Sequence, residues 1–371
     1  MEVKAWSYEE IPEFTDEVEG AVWLDTTGDE PQVDYLPDVA YATYGDRTLR
    51  LQILKPRTRN NPTPRSLPCF VYVQGSAWRK QNIYHDIPQL ARMAALGYVA
   101  ALVEYRGSNE ATFPCPIVDA HNAVRFLRFH AAEYGIDPSR IVLAGNSSGG
   151  HTAVYASFWQ GEEENLYPGI SAEVSCVIDY YGSVSVMADD SNPTTVDHNL
   201  PTSPEGLEMG GVNLRERPDL MRLLSVECNI DEATPVPPVL ILHGTKDRTV
   251  NTTCSVALYQ RLRAYGKETE LYLLRGADHG NAEFWTDEVN TIVDRFIRRH
   301  FAKPLGSPRQ KLEIRGPAVS TVQACGLPHS CGKSARYVGE SKRSSSRSTT
   351  PRSCSVRIRR PAACRTLVMP G

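Results

Sequence analysis

Between positions 69 and 274 the chain alternates short apolar runs with stretches whose apolar residues recur at helical spacing. The runs are Cys69-Phe70-Val71-Tyr72-Val73, Val99 to Val103, Arg140 to Ala144, Val174 to Tyr180 and Val239 to His243, and a further strand is expected from Glu270 to Leu274. A strand that lacks polar alternation is one covered on both faces, so these runs predict the interior of a parallel sheet. Between them, Ile87, Leu90, Ala91 and Ala94, then Ile117, Ala120, Val124, Leu127 and Ala131, and finally Val289, Ile292, Val293 and Phe296 each mark one apolar face of a helix. A further helix is expected from about Thr252 to Tyr265, and Gly97, Gly135 and Gly266 fall where such helices would stop. Strand and helix in this alternation predict an α/β fold, a mostly parallel central sheet with helices on both faces. Upstream, Val39 to Tyr44 and the alternating Leu49, Leu51 and Ile53 flank Gly45-Asp46, the pattern of a hairpin.

The alternation fails in three places. Residues 1–38 are rich in Asp, Glu and Pro with isolated aromatics such as Trp6 and Trp23, and read as an N-terminal extension lying over the domain. From Gly182 to Pro237 only Ser203 to Met209 and Asp219 to Leu224 suggest short helices. An insertion after a strand's C-terminal end lies over the ligand-binding edge of a parallel sheet, so 182–237 reads as a lid or pocket wall. Beyond Ala302 the apolar pattern is lost. A length of 371 residues thus resolves into one α/β domain over 39–302, the extension, and a basic low-complexity tail over 303–371.

Charge sharpens that division. The tail carries 14 Lys and Arg against 2 acidic residues, whereas 26 basic and 42 acidic residues precede it, a net of -16. An acidic body repels nucleic acid and anionic membranes and favours a neutral or cationic small substrate. The tail has the composition of a disordered RNA-binding arm. Its abrupt onset fits a translated cloning junction or shifted frame, the preferred reading, and no nucleic-acid partner is expected. Cys69, Cys115, Cys176, Cys228 and Cys254 lack the close pairing of a zinc site, so no metal is expected. No run nears 18 apolar residues and no signal-like start is present, which points to a cytoplasmic chain without membrane contact.

The candidate chemistry centres on Gly145-Asn146-Ser147-Ser148-Gly149, directly after the strand ending at Ala144. This is G-x-S-x-G in a strand-to-helix setting, where glycines let strand and helix pass close to a strained serine. Only Ser147 fits the centre, because a motif centred on Ser148 would need glycine in place of Asn146. The amides that open the next helix stand where an oxyanion would form, which makes the Ser148 N–H one candidate donor. Gln74-Gly75-Ser76-Ala77-Trp78 follows the strand at Val73, and there Gly75 and Ser76 are the candidate second donors.

Nine histidines compete for the role of base. His279, in the loop after the last strand, is the one delivered to the same sheet edge as Ser147. His121 and His130 belong to a helix, His151 to the turn after the serine and His300 to the last helix, all structural settings, and His243 closes a strand and either packs or holds the loop. Asp247 sits in a loop at the same edge and is the candidate to orient the imidazole. Asp179 is second, and Asp278 adjoins His279 in sequence, where successive side chains point apart. The order Ser, Asp, His is the one expected on such a sheet.

Those motifs, with Gly150, His243-Gly244-Thr245-Lys246-Asp247, Gly276-Ala277-Asp278-His279-Gly280 and Tyr105-Arg106, resemble the α/β-hydrolase esterases and lipases over residues 39–302. The similarity is closest to acetyl-xylan and feruloyl esterase-like enzymes and their hormone-sensitive-lipase-like relatives. It implies a cofactor-independent serine carboxylesterase acting on small-molecule or oligosaccharide esters. A prolyl-oligopeptidase-like peptidase and a non-catalytic ligand binder are the alternatives. Many relatives carry His-Gly-Gly-Gly or His-Gly-Gly-Ala at the oxyanion loop. Gln74 and Ser76 depart from that pattern, so the support of this loop must differ.

Overall fold

The computed structural model describes residues 3–161, 164–187 and 193–301. Eight strands form one sheet in the order β1-β2-β4-β3-β5-β6-β7-β8. They are β1 (Gln32–Tyr44), β2 (Arg47–Arg57), β3 (Leu67–Val73), β4 (Val99–Val103), β5 (Ile136–Asn146), β6 (Val177–Tyr180), β7 (Val239–Gly244) and β8 (Thr269–Leu274). β2 is antiparallel to both β1 and β4, and every pair from β4 to β8 is parallel.

The continuous apolar runs are explained by two cores, one on each face. Cys69, Val71 and Val73 of β3 enter one cluster and Phe70 and Tyr72 the other, and Val99, Ala101 and Val103 of β4 separate from Ala100 and Leu102 in the same way. Each fully buried Val, Leu, Ile or Phe contributes roughly 1.5–3 kcal/mol, so every residue of these strands adds to one layer or the other. The helices are α1 (Ile87–Ala95), α2 (Cys115–Phe129), α3 (Ala131–Tyr134), α4 (Ser148–Ala156), α5 (Pro204–Glu208), α6 (Pro218–Leu224), α7 (Thr252–Ala264) and α8 (Asp287–Phe301). α2, α4 and α7 cover the first face, and α1 and α8 the second. α8 shows why its sequence is helical. Val289, Val293, Phe296 and Ile297 share its buried stripe, with Asp287 and Glu288 in the first turn and Arg298, Arg299 and His300 in the last, matching the helix dipole.

Several boundaries differ from the sequence pattern, among them that of β5, which starts at Ile136 rather than Arg140. β1 starts at Gln32 rather than Val39, because Pro37 and Asp38 (φ 56°) sit in a register shift that hides the earlier half of the strand. The ladder of β6 starts at Val177 rather than Val174, since the partner strand is preceded by Pro237 and Pro238, neither of which has an N–H to give. The expected helix through Ala131 breaks at His130, and α2 is buried all round from Pro116 to Leu127 instead of on one face. Its outer side is covered by the 164–173 segment: Leu166 N–H donates to Asn122 Oδ1, Asn122 Nδ2 to the Glu164 carbonyl and Arg125 Nε to the Ile170 carbonyl. Leu166 and Tyr167 of that segment add apolar contact, the Tyr167 ring lying edge-on to Phe126 at 6.1 Å, while the remaining ties are hydrogen bonds to main chain, which leave no periodic apolar signature in the sequence.

The insertion carries α5 and α6, as its two helical stretches suggested, and two 3₁₀ turns at Leu214–Glu216 and Val226–Asn229. It has its own small core of Val186, Leu214 and Leu224 with Met209, Leu220 and Met221. The described part of the extension, residues 3–31, leaves Trp6, Phe14 and Trp23 exposed and touches the 58–61 turn, where Asn60 N–H donates to the Gly28 carbonyl. The basic tail at 303–371 lies outside the described residues.

Candidate active site

Three turns at the C-terminal edge of the parallel strands converge on one point. The first is the turn between β5 and α4. Ser147 holds φ 51° and ψ −126°, a strained conformation for a residue with a side chain. It is sustained because the flanking glycines permit contacts no other residue would. A Cβ on Gly145 would meet the Gly149 carbonyl oxygen at 2.2 Å, and one on Gly149 would meet that of Val73 at 2.0 Å.

The loop after β8 brings His279 to this serine, with Nε2 2.9 Å from Ser147 Oγ. The loop after β7 brings Asp247, whose Oδ2 lies 2.7 Å from His279 Nδ1. Asp247 is buried, and its Oδ1 accepts from the Thr249 and Val250 N–H groups at 2.9 and 2.8 Å. Burial pushes a carboxylate toward its neutral form. Here the contacts from His243 and His279 outweigh that and hold Asp247 well below the usual range. The carboxylate is therefore ionised wherever the imidazole needs a charged partner. Gly244 is required for the approach of these two loops, since a Cβ there would sit 2.4 Å from the Ala277 carbonyl oxygen.

The other candidates lie elsewhere. Asp179 is fully buried, accepts from the Gly182 N–H at 2.9 Å and is pushed up to about 7 by its burial. Asp278 pairs with Arg248 and accepts the backbone N–H of His279 rather than its ring. His151 packs edge-on against Trp78 and bonds the Leu224 carbonyl at 2.9 Å.

Two of the three candidate oxyanion donors already have acceptors. Gly75 abuts the serine so closely that a Cβ would stand 2.8 Å from that of Ser147. Its N–H donates to Asn146 Oδ1 at 2.6 Å, and the Ser76 N–H donates to Ser148 Oγ at 3.0 Å. Ser148 N–H belongs to the open first turn of α4. The loop itself is held by Gln74, whose Nε2 donates to Asp86 Oδ2 at 3.0 Å, and by a 2.9 Å bond between the Ser76 and Tyr105 hydroxyls. Ala77 and Trp78 follow at φ 56° and 49°, two consecutive strained residues beside the serine.

Sequence reasoning missed several contributors. Asn146 bridges the site, receiving Gly75 N–H and donating from Nδ2 to Tyr181 Oη at 3.1 Å, while the Tyr181 ring packs edge-on against His279 at 4.9 Å. The middle residue of a motif gives no sign of such a role. The insertion is also tied in: Ser183 N–H donates to the Ser147 carbonyl, and Ser183 Oγ to Glu205 Oε1 at 2.7 Å. His198 Nδ1 stands 2.8 Å from the same Glu205 oxygen, off the line of a hydrogen bond, and its Nε2–H reaches the Thr249 carbonyl at 2.7 Å.

His198 yields a stability prediction. Its burial favours the neutral ring, but Glu205 outweighs this and raises its titration above the ordinary 6.5. A raised histidine contributes stability that is complete below 6.5 and is lost as pH rises through its folded-state value. Glu205→Gln is thus expected to lower the unfolding temperature more at pH 6 than at pH 9. Melting curves across that range check it, and an equal loss at both ends would contradict the pairing.

An eight-stranded, mostly parallel sheet with a strained serine at a strand-to-helix turn, faced by histidine and aspartate from later loops, defines an α/β-hydrolase. The chain belongs to the BD-FAE family, whose model matches residues 51–262. Among its relatives is esterase LipQ of Mycobacterium tuberculosis, 28% identical over 271 residues, covering 69% of this chain and 61% of LipQ. Isoprenylcysteine alpha-carbonyl methylesterase ICME of Arabidopsis thaliana is 26% identical over 302 residues, covering 74% of this chain and 69% of its own. The chain spans about three fifths of the length of LipQ and of esterase LipC, also of M. tuberculosis. In structure it is similar to a truncated carbohydrate esterase from gut microbiota, with TM-score 0.63, 24% identity and coverage of 75% and 99% of the two chains. It is also similar to a bifunctional GH43-CE protein of Bacteroides eggerthii, with TM-score 0.59, 26% identity and coverage of 75% and 39%. Among the described residues no helix is long and apolar enough to cross a membrane.

Proposed function

We propose that this protein is a serine carboxylesterase that hydrolyses short acyl or feruloyl esters, including those carried on plant-polysaccharide sugars. The observation that carries this reading is the unbroken line from Ser147 Oγ through His279 to Asp247, at 2.9 and 2.7 Å. Ser147 Oγ attacks the ester carbonyl as its proton passes to His279 Nε2, and Asp247 holds Nδ1–H and stabilises the imidazolium. The carbonyl oxygen, now an anion, is taken by the Ser148 N–H and by the Ser76 or Gly75 N–H. Of the last two, Ser76 is the better donor. Its present acceptor, the Ser148 hydroxyl, can swing away about its Cα–Cβ bond, whereas the Gly75 N–H is held at 2.6 Å by Asn146. His279 then returns the proton to the departing alcohol, leaving Ser147 acylated. Water, deprotonated by the same imidazole, releases the acid and restores the serine.

The esterase names of the relatives support the reaction class, and the acidic body suits a neutral substrate. No step in this scheme calls for a cofactor. A panel of acetylated sugars, methyl ferulate, p-nitrophenyl esters from acetate to octanoate and a proline-containing peptide tests the assignment. Short acyl esters are expected to be turned over and the peptide spared. Preference for the peptide would sink the esterase reading in favour of a peptidase.

A further inference from the structure

Resting on the esterase reading, we propose that His243 is a positioning residue that fixes the Asp247 oxygen facing His279. His243 closes β7 and is fully buried. Its Nε2 faces the Val250 carbonyl at 3.0 Å and Asp247 Oδ2 at 3.1 Å. A carbonyl and an ionised carboxylate can only accept, so Nε2 carries the hydrogen, in line with the carbonyl and flanked by the carboxylate. Nδ1 is then the acceptor, and Ser255 Oγ–H of α7 donates to it at 2.7 Å. The tautomer is set by chemistry on both sides of the ring.

The consequence falls on Asp247 Oδ2, which stands between two imidazoles, 2.7 Å from His279 Nδ1 and 3.1 Å from His243 Nε2. Oδ1 is held separately by two backbone N–H groups of its own loop. Those two bonds tie the carboxylate only to its own loop. His243 adds a tie to the scaffold, because one ring links the carboxylate and the Val250 carbonyl to β7, and through Ser255 to α7. The partial positive charge of its N–H also opposes transfer of the His279 proton to Asp247. Both effects matter most when the imidazolium forms, so they act on the chemical step and leave ground-state binding untouched.

His243→Leu keeps the volume of the ring and removes the donor. With p-nitrophenyl acetate, kcat is expected to fall about tenfold with KM unchanged, the scale of a modest misplacement of a catalytic group. His243→Gln places an N–H near the former Nε2 and is expected to recover most of that loss. Melting curves of both variants separate this from unfolding. A folded His243→Leu variant with wild-type kcat, or one whose KM rises while kcat holds, overturns the proposal. So does a Gln variant as impaired as Leu. If the Leu variant does not fold, Ser255→Ala, which unlocks the ring, is expected to lower kcat about threefold at constant KM, and an unmoved kcat there overturns the proposal instead. Wild-type protein inert toward every ester would refute the esterase reading itself, a result distinct from any of these.

Discussion

Ser147→Ala is expected to reduce kcat for p-nitrophenyl acetate by about 10⁶-fold, and His279→Ala by nearly as much, because the two act as one unit. The double variant should be scarcely worse than either single one. The reason lies in the geometry. Without the imidazole 2.9 Å away, the Ser147 hydroxyl has no base within reach, and without the hydroxyl the imidazole has no nucleophile to activate. Ser147→Ala removes one atom from a half-exposed position and no backbone bond, so the melting temperature should hold. Steady-state hydrolysis alongside a thermal melt checks both halves. Near-wild-type turnover by a folded Ser147→Ala variant would place the chemistry elsewhere.

Asp247→Asn should cost about 10⁴-fold in kcat, the scale seen when an imidazole is held in the wrong tautomer. Asp247 only accepts, taking the Thr249 and Val250 N–H groups on one oxygen and facing two imidazole nitrogens with the other. An amide cannot match four such partners. With its oxygen toward the backbone donors, its NH₂ faces His279 Nδ1, which must then become the acceptor. The ring's proton moves to Nε2, and Nε2 can no longer take the hydroxyl proton of Ser147. Rates for Asp247→Asn and Asp179→Asn measured together decide the matter, since among the described residues Asp179 bonds only Gly182 and should be catalytically quiet. A silent Asp247→Asn beside a crippled Asp179→Asn would reverse the assignment.

The central strands were legible because each is buried on both faces, which forces an uninterrupted apolar run and leaves a strong signal. Ser147 and its glycines were legible for a related reason. Close backbone passage at Gly145 and Gly149 admits no side chain, so the motif is written in residue types. Chain order then selected His279 and Asp247 from their loops. What escaped was whatever depends on polar main chain or on one side chain meeting another far along the sequence. The 164–173 segment is tied to α2 partly through the carbonyls of Glu164 and Ile170, and the bulge at Pro37-Asp38 hides the first half of β1. Gly75 and Ser76 could be named as donors, but not that Asn146 and Ser148 already engage them. His243 could be assigned to loop support from its place at a strand end, while its nearness to Asp247 Oδ2 needed coordinates.

The insertion's small core has a bearing on descent. Val186, Leu214 and Leu224 form a cluster apart from the two that hold the sheet, with Phe113 packed against both it and the sheet's larger core. Substitutions among Met209, Leu220 and Met221 can therefore drift, or be selected in a library, while the sheet keeps its own packing. Sequence change in this region and sequence change around the sheet are then separable in descent, each absorbed by its own cluster.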